Sequence, residues 1–331
     1  MRDYRDHSLK QIIREQWCKP LIKYINEKLK YKFLYLGLPS PEIRDLLNWI
    51  DYIDEVIAFM CRQYPVPSSI SQPKTKVIEL EKQLNALERK GALKRFTVYD
   101  GYIEEVVLKG SDIAGNPFNQ SGVVTIYNLD FCNNITTPLP VEINGRTHYF
   151  YKSETIRKLL EIQRDIALKE KSKKFIMFLT VHSDFLNEEK KLFEAQAKDS
   201  ELKDFISLID RELKDDWRKK IKLIKGYIFN IIKTFFCSCN FTPEFLPIIN
   251  YKNDKGTWLM HFTIIGIENK NPSGIAPYLQ NINNFLNQKF LTIEDGKIIP
   301  KTITKSECDC ISNLVDAFQN SEGYRQIWNR K

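Results

Sequence analysis

Four groups of residues in this 331-residue chain have types and spacings that could do chemistry. Cys237-Ser238-Cys239 and Cys308-Asp309-Cys310 form two C-x-C pairs, and four thiolates can hold a structural zinc. Zinc loops more often space their cysteines by two to four residues, and nothing in the sequence brings 237 near 310. Thiols buried as small apolar groups are the plainer reading, and no metal is expected. Cys132 with His148 or His182 would make a nucleophile and base. The four histidines are scattered, however, and His261, inside Met260-His261-Phe262, reads as a core histidine. Asp100, Glu104, Glu105, Asp112 and Asp130 offer carboxylates to a metal-dependent nuclease. The E-x-K spacing of such sites is missing, and adjacent Glu104 and Glu105 would point to opposite sides of a strand. Finally, Trp217–Lys225 is a basic run. On a helix, Arg218, Lys222 and Lys225 share one side, and Ile221, Ile224, Tyr227 and Ile228 form an apolar stripe. Such a side can bind DNA or RNA phosphates by counterion release, although a solvated helix face is the plainer reading.

Composition narrows the classes. Lys and Arg number 50 against 42 Asp and Glu, a net charge of +8, with the two signs interspersed. That permits a nucleic-acid partner without requiring one. Hydrophobic residues at 43% and aromatics at 12% exclude a disordered chain. Glycine is scarce, 13 residues in all, and phosphate-cradling loops are built from glycine. The P-loop, G-x-G-x-x-G, H-E-x-x-H, G-x-S-x-G and C-x-x-C patterns are all absent. The longest apolar stretch, Tyr227–Phe236, is interrupted by Asn230 and Lys233, so no membrane span is expected. The start, MRDYRDHSLKQ, is too polar for a secretory signal, and the seven cysteines are an odd number. Free thiols in a reducing cytoplasm are the expectation.

These candidates must be positioned by the elements between them. Residues 8–29 carry helical spacing, with Pro20 as a break. Lys32–Leu38 and Asp54–Met60 read as buried strands, and Ser40 with Pro41 predicts a capped helix over 41–50. A helix over 75–90, stopped by Gly91, leads to a strand at Phe96–Tyr99 that ends in Asp100-Gly101. Ile103–Leu108 reads as a further strand, and Val123–Leu129 is the most strand-like run of all. A helix over 153–170 with Ser153 as its cap precedes the apolar strand Lys174–Val181. Residues 185–236 are helical and charged. Phe245–Tyr251 and Trp258–Ile267 predict a hairpin. A helix near 275–288, a short β excursion at 290–301 and a helix near 309–320 complete the chain.

Apolar strands alternating with helices predict an α/β, Rossmann-like, mostly parallel sheet covered on both faces, with a terminal antiparallel hairpin and helical additions. The expected organisation is an N-terminal helical segment (1–30), a Rossmann-like domain (31–270) with a charged insertion at about 185–236, and a mainly helical appendage (271–331). This order, over about 31–268, resembles the class I S-adenosylmethionine-dependent methyltransferases. In such sheets, ligands bind beyond the carboxyl ends of the strands. The resemblance implies that Gly37 and Glu42, after the first strand, and Asp100 and Gly101, after the third, help seat S-adenosylmethionine. In the family, a carboxylate like Asp100 meets the adenine amino group. Asn128-Leu129-Asp130-Phe131 lies where amino-methylating members carry [N/D/S]-P-P-[Y/F]. The resemblance therefore implies that Asn128 and Asp130 orient a target amine while Phe131 stacks on its ring. Two departures stand out. Only Gly37 remains of the glycine-rich first loop, and Phe59-Met60-Cys61-Arg62 has no carboxylate for the ribose hydroxyls.

Three functions follow as expectations. The first is a methyltransferase-like protein associated with nucleic-acid modification or processing. The second is a catalytically silent subunit of that fold in a multi-protein complex acting on foreign or damaged nucleic acid. The third is a metal-dependent nuclease.

Overall fold

The computed structural model describes residues 8–60, 75–131, 133–168, 174–183, 207, 216–253, 256–269, 276, 285–286, 288 and 290–300. The chain forms two compact units. One comprises Met1–Asp130 with Pro138–Leu179, and the other comprises Phe131–Thr137 with Thr180–Lys331.

The first unit opens with α1 (Ser8–Ile13), a π-helical turn (Arg14–Cys18) and α2 (Lys19–Leu29). Pro20 does not break this run. Its ring would collide with a carbonyl four residues earlier, and the wider π turn just before it makes room. Next come β1 (Phe33–Gly37), α3 (Arg44–Trp49), β2 (Ile53–Met60), α4 (Thr75–Arg89), β3 (Arg95–Asp100), α5 (Ile103–Lys109) and β4 (Ile126–Asp130). A hairpin of β5 (Leu139–Ile143) and β6 (Arg146–Phe150) leads into α6 (Lys152–Ala167) and then β7 (Lys174–His182).

The hydrogen-bonded order in this unit is β3-β2-β1-β4-β7, with β1 parallel to both β2 and β4 and β2 parallel to β3. All five residues of β1 are buried, as a parallel strand covered on both faces requires. Leu46 and Trp49 of α3 and Ile156, Leu159 and Leu160 of α6 pack into the same core, where the Trp49 ring lies 5.7 Å from that of Phe178. Each such side chain contributes about 1.5–3 kcal/mol of burial.

The second unit takes up the last residues of β7 and adds α7 (Asp216–Ser238), β8 (Phe241–Phe245), β9 (Ile249–Lys252), β10 (Trp258–Glu268), β11 (Leu291–Glu294) and β12 (Lys297–Pro300). Its order runs β7-β10-β9-β11-β12, with β8 also on β10. The Ser183 N–H donates to the Trp258 carbonyl, and Thr180 Oγ1 lies 2.9 Å from His261 Nδ1. Residue numbers fall on one strand as they rise on the other, so β10 runs antiparallel to β7. Both β8 and β9 pair antiparallel with β10. The expected terminal hairpin is therefore present, its first strand split in two at 246–248. Rings of Phe229, Phe245 and Phe285 cluster at centroid distances of 4.9 to 5.1 Å and form this unit's core.

The architecture is the expected α/β, Rossmann-like, mostly parallel sheet with a terminal antiparallel hairpin. Local expectations need four corrections. Residues 103–109 are a helix, because Gly110 in the left-handed region stops it and Glu104 and Glu105 occupy its favourable first turn. The helix after β1 starts only at Arg44, after a turn closed by Ile43 N–H on the Ser40 carbonyl. Helix α6 starts at Lys152 with no side-chain cap, so Ser153 lies inside it. The β5–β6 hairpin, unforeseen above, turns on Asn144-Gly145, both with positive φ, and that dipeptide is its sequence signal. The expected helix at 309–320, most of that at 275–288 and most of 185–215 lie outside the described residues.

Candidate functional site at the strand tips

Parallel pairing in the first unit puts the tips of β1, β2, β3 and β4 along one edge. Gly37 sits opposite both Ala58 and Asn128, and Met60 sits opposite Asp100. Three of the residues expected to line a crevice therefore share that edge. What fills it is the chain's own side chains.

A β-carbon placed on Gly37 would lie 2.5 Å from Tyr35 Oη, 2.6 Å from the Asn128 carbonyl oxygen and 2.7 Å from Tyr35 Cζ. Glycine is needed here because a phenol folds across it. Tyr35 is fully buried, and its hydroxyl oxygen accepts a hydrogen bond from Asn128 Nδ2 at 3.1 Å. The same Nδ2 donates to Asp45 Oδ2 at 2.8 Å. Both amide hydrogens of Asn128 are thus committed. Asp45, on α3, forms an ion pair with Arg14 of the π turn, whose carbonyl accepts from Trp49 Nε1 at 3.3 Å. Asp130, at the end of β4, is ion-paired and hydrogen-bonded to Lys10 of α1. Burial pushes the Asp45 carboxyl above its usual range; Arg14 opposes that shift and the Asp130 charge adds to it. Burial and the Asp45 charge also push the Tyr35 phenol well up.

The β3 tip is self-contained as well. Asp100 is buried, and its N–H reaches Asp112 Oδ2 at 3.3 Å. Asp112 is itself almost fully buried. Despite that desolvation, donation from the Asn116 side chain and backbone holds its carboxyl below the usual range. Gly101, at φ +151°, donates its N–H to the Met60 carbonyl. On the helix, Glu104 and Glu105 are both buried rather than split between two faces. Glu104 faces buried Lys152 at 3.6 Å, and Glu105 pairs with Lys109 at 3.9 Å. Among the described residues, no group of three or more His, Cys, Asp or Glu is placed to hold a metal ion.

The remaining expected site residues fall elsewhere. Glu42 is exposed in the turn before α3. Phe131 belongs to the second unit, where it is buried with its N–H on the Thr180 carbonyl. Lys225 corrects the expected basic face. It is 2% exposed, and its ammonium donates to the carbonyls of Phe285, Leu286 and Gln288 at 2.6, 3.2 and 2.9 Å. It also sits over the rings of Phe285 and Phe290. Burial, with the Lys222 charge, lowers its pKa to about 7. Helix α7 is buried all round from Leu223 to Phe229, so Lys225 holds the protein together and cannot meet a phosphate. Lys222 is half-buried, and the Arg218 side chain lies outside the described residues. Cys237 and Cys239 are buried and in no disulfide, as the plainer reading had it, while Cys132, Cys308 and Cys310 lie outside the described residues.

The sequence profile of the PP_RS20740-like family matches residues 6–222. The chain belongs to the PP_RS20740-like family. No curated protein matches it. Among solved structures, the chain is similar to the O-methyltransferase from Bacillus cereus in complex with SAH. That match has 8% identity and a TM-score of 0.35, over 80% of this chain and 92% of the other. It is also similar to the SAM-dependent methyltransferase from Agrobacterium tumefaciens, at 10% identity and a TM-score of 0.36, over 77% of this chain and 62% of the other.

Among the described residues, those at the strand tips do not fit S-adenosylmethionine. The space over Gly37 belongs to Tyr35, the end of β2 is the buried apolar Met60, and the Asn128 amide hydrogens are spent within the fold. Sequence reasoning missed Tyr35, Asp45, Arg14 and Lys10. The last two stand four residues apart on consecutive helical turns, and that spacing is the one signal that could have paired them.

Proposed function

We propose that this member of the PP_RS20740-like family uses a methyltransferase-type fold as a binding scaffold and performs no methyl transfer at its strand tips. The observation that carries this reading is the Tyr35 phenol lying across Gly37 while holding the amide of Asn128. A methyl donor needs backbone approach at that position, and catalysis by orientation needs a free Asn128. The net charge of +8 supports a polyanionic partner such as nucleic acid, a contact that would weaken with salt.

Calorimetry with S-adenosylmethionine and S-adenosylhomocysteine tests the reading. The expected result is no saturable heat up to about millimolar ligand, the weak end of the affinity scale. Saturable one-to-one binding would overturn it and favour the second reading, an active enzyme. That alternative draws on the shared edge of Gly37, Asp100 and Asn128, and it requires binding to be lost in Asp100→Ala.

A further inference from the structure

The two parts of the N-terminal helical run are anchored by different forces. α2 is held by burial: Leu21, Ile22 and Ile25 are each at most 4% exposed, and Trp17 and Cys18 of the π turn are buried beside them. In α1, Leu9, Lys10, Gln11 and Ile12 are all partly exposed, and only Ile13 is buried. What fastens this stretch to the strand tips is charge. Lys10 sits on Asp130, and Arg14 sits on Asp45. The side chains of the first pair are 24% and 27% exposed, so water and salt reach it. Between the parts lies a π-helical turn, whose bonding is less regular than that of the helix on either side, and such turns recur at functional sites. Few buried apolar contacts plus an irregular joint describe a segment that opens below the global unfolding free energy.

Opening has a consequence at the site. With Lys10 and Arg14 gone, buried Asp45 is left beside the Asp130 carboxylate, whose charge raises the proton affinity of Asp45. Uncompensated buried charge is strongly disfavoured, so the open form persists only when another cation arrives. We propose that α1 is a displaceable strap. Closed, its ammonium and the neighbouring guanidinium occupy the carboxylates at the tips of β4 and α3. Open, Asp45, Asn128 and Asp130 receive an amine or guanidinium presented by a partner. This rests on the reading of the tips as a non-donor site, but its test is separate from ligand calorimetry.

The test is hydrogen–deuterium exchange on the full chain, read by mass spectrometry. Amides of residues 8–13 exchange at least about tenfold faster than those of 19–29. Raising NaCl to about 1 M increases the rate of 8–13 and leaves 19–29 unchanged, because screening acts on the exposed pair. An oligoarginine peptide speeds exchange in 8–13 and slows it at 128–131. Lys10→Gln, which leaves the buried Arg14–Asp45 pair in place, abolishes the protection of 8–13 while the thermal midpoint stays within a few degrees, and Lys10→Arg retains protection. A single rate for both helices, insensitive to salt and to the peptide, overturns the proposal. So does a Lys10→Gln variant whose global stability collapses together with the protection of α1, since α1 would then be part of the core. Saturable binding of S-adenosylmethionine would reject the non-donor reading while leaving these exchange rates as they are.

Discussion

Gly37→Ala is the sharpest probe of the closed strand tips. To reach an ordinary 3.4 Å contact, the new methyl must move the Tyr35 hydroxyl by about 0.9 Å and the Asn128 carbonyl by about 0.8 Å. That carbonyl is fixed, since it accepts the Leu38 N–H at 3.1 Å beside the β1–β4 ladder. Overpacking of a tight core costs about 1–3 kcal/mol. Losing the Asn128-to-Tyr35 hydrogen bond with both groups buried adds about 1 kcal/mol. The expected destabilisation is therefore about 2–4 kcal/mol, read as a lower urea midpoint at unchanged slope. Adding Tyr35→Phe removes the 2.5 Å contact but leaves those to Cζ and the carbonyl, so it rescues less than half of the loss. A midpoint within about 0.5 kcal/mol of the parent, the range of an inconsequential substitution, would mean open space above Gly37 and would refute the closed-tip argument.

Gln163 is fully buried. Its Oε1 accepts from Gln120 Nε2, the Val124 N–H and the Tyr127 hydroxyl, while its Nε2 donates to the Val124 carbonyl. Gln163→Leu is expected to cost about 2–4 kcal/mol in urea titration, because it strands the buried peptide groups of Val124. Glu244 is buried, which raises its pKa to about 7 from 4.5. The folded state holds this proton longer than the unfolded chain does. Its contribution to stability is therefore greatest below about pH 4.5 and is lost as pH rises through about 7. Glu244→Gln should remove that slope, worth about 3 kcal/mol, from a pH series of thermal midpoints, and an unchanged slope would refute it. Lys225→Met should lower stability by about 2 kcal/mol through the lost carbonyl contacts and leave any salt-sensitive nucleic-acid affinity as it was. Weaker binding with intact stability would show that the amine reaches solvent after all.

The fold was legible because its strands are written in composition. Phe33–Gly37, Val56–Met60 and Phe175–Leu179 are apolar on both faces, and the intervening runs carry helical spacing. Where propensity and context compete, the pattern misled. Ile103–Leu108 has strand-like residues yet forms a helix. Pro20 looks like a break yet sits at the first turn of α2 behind a π turn.

At the site, sequence alone determined which residue types stand at the strand ends, because parallel strands put their carboxyl ends on one edge: Gly37, Met60, Asp100 and Asn128. Only the tertiary structure decided what those residues do. Asn128 reaches Asp45 across 83 positions, and Lys10 reaches Asp130 across 120. Lys225 turns inward to carbonyls some 60 residues later. A charged side chain in a sequence carries no mark of whether water or a distant carbonyl will solvate it. That is settled by desolvation and partner geometry once the chain has folded.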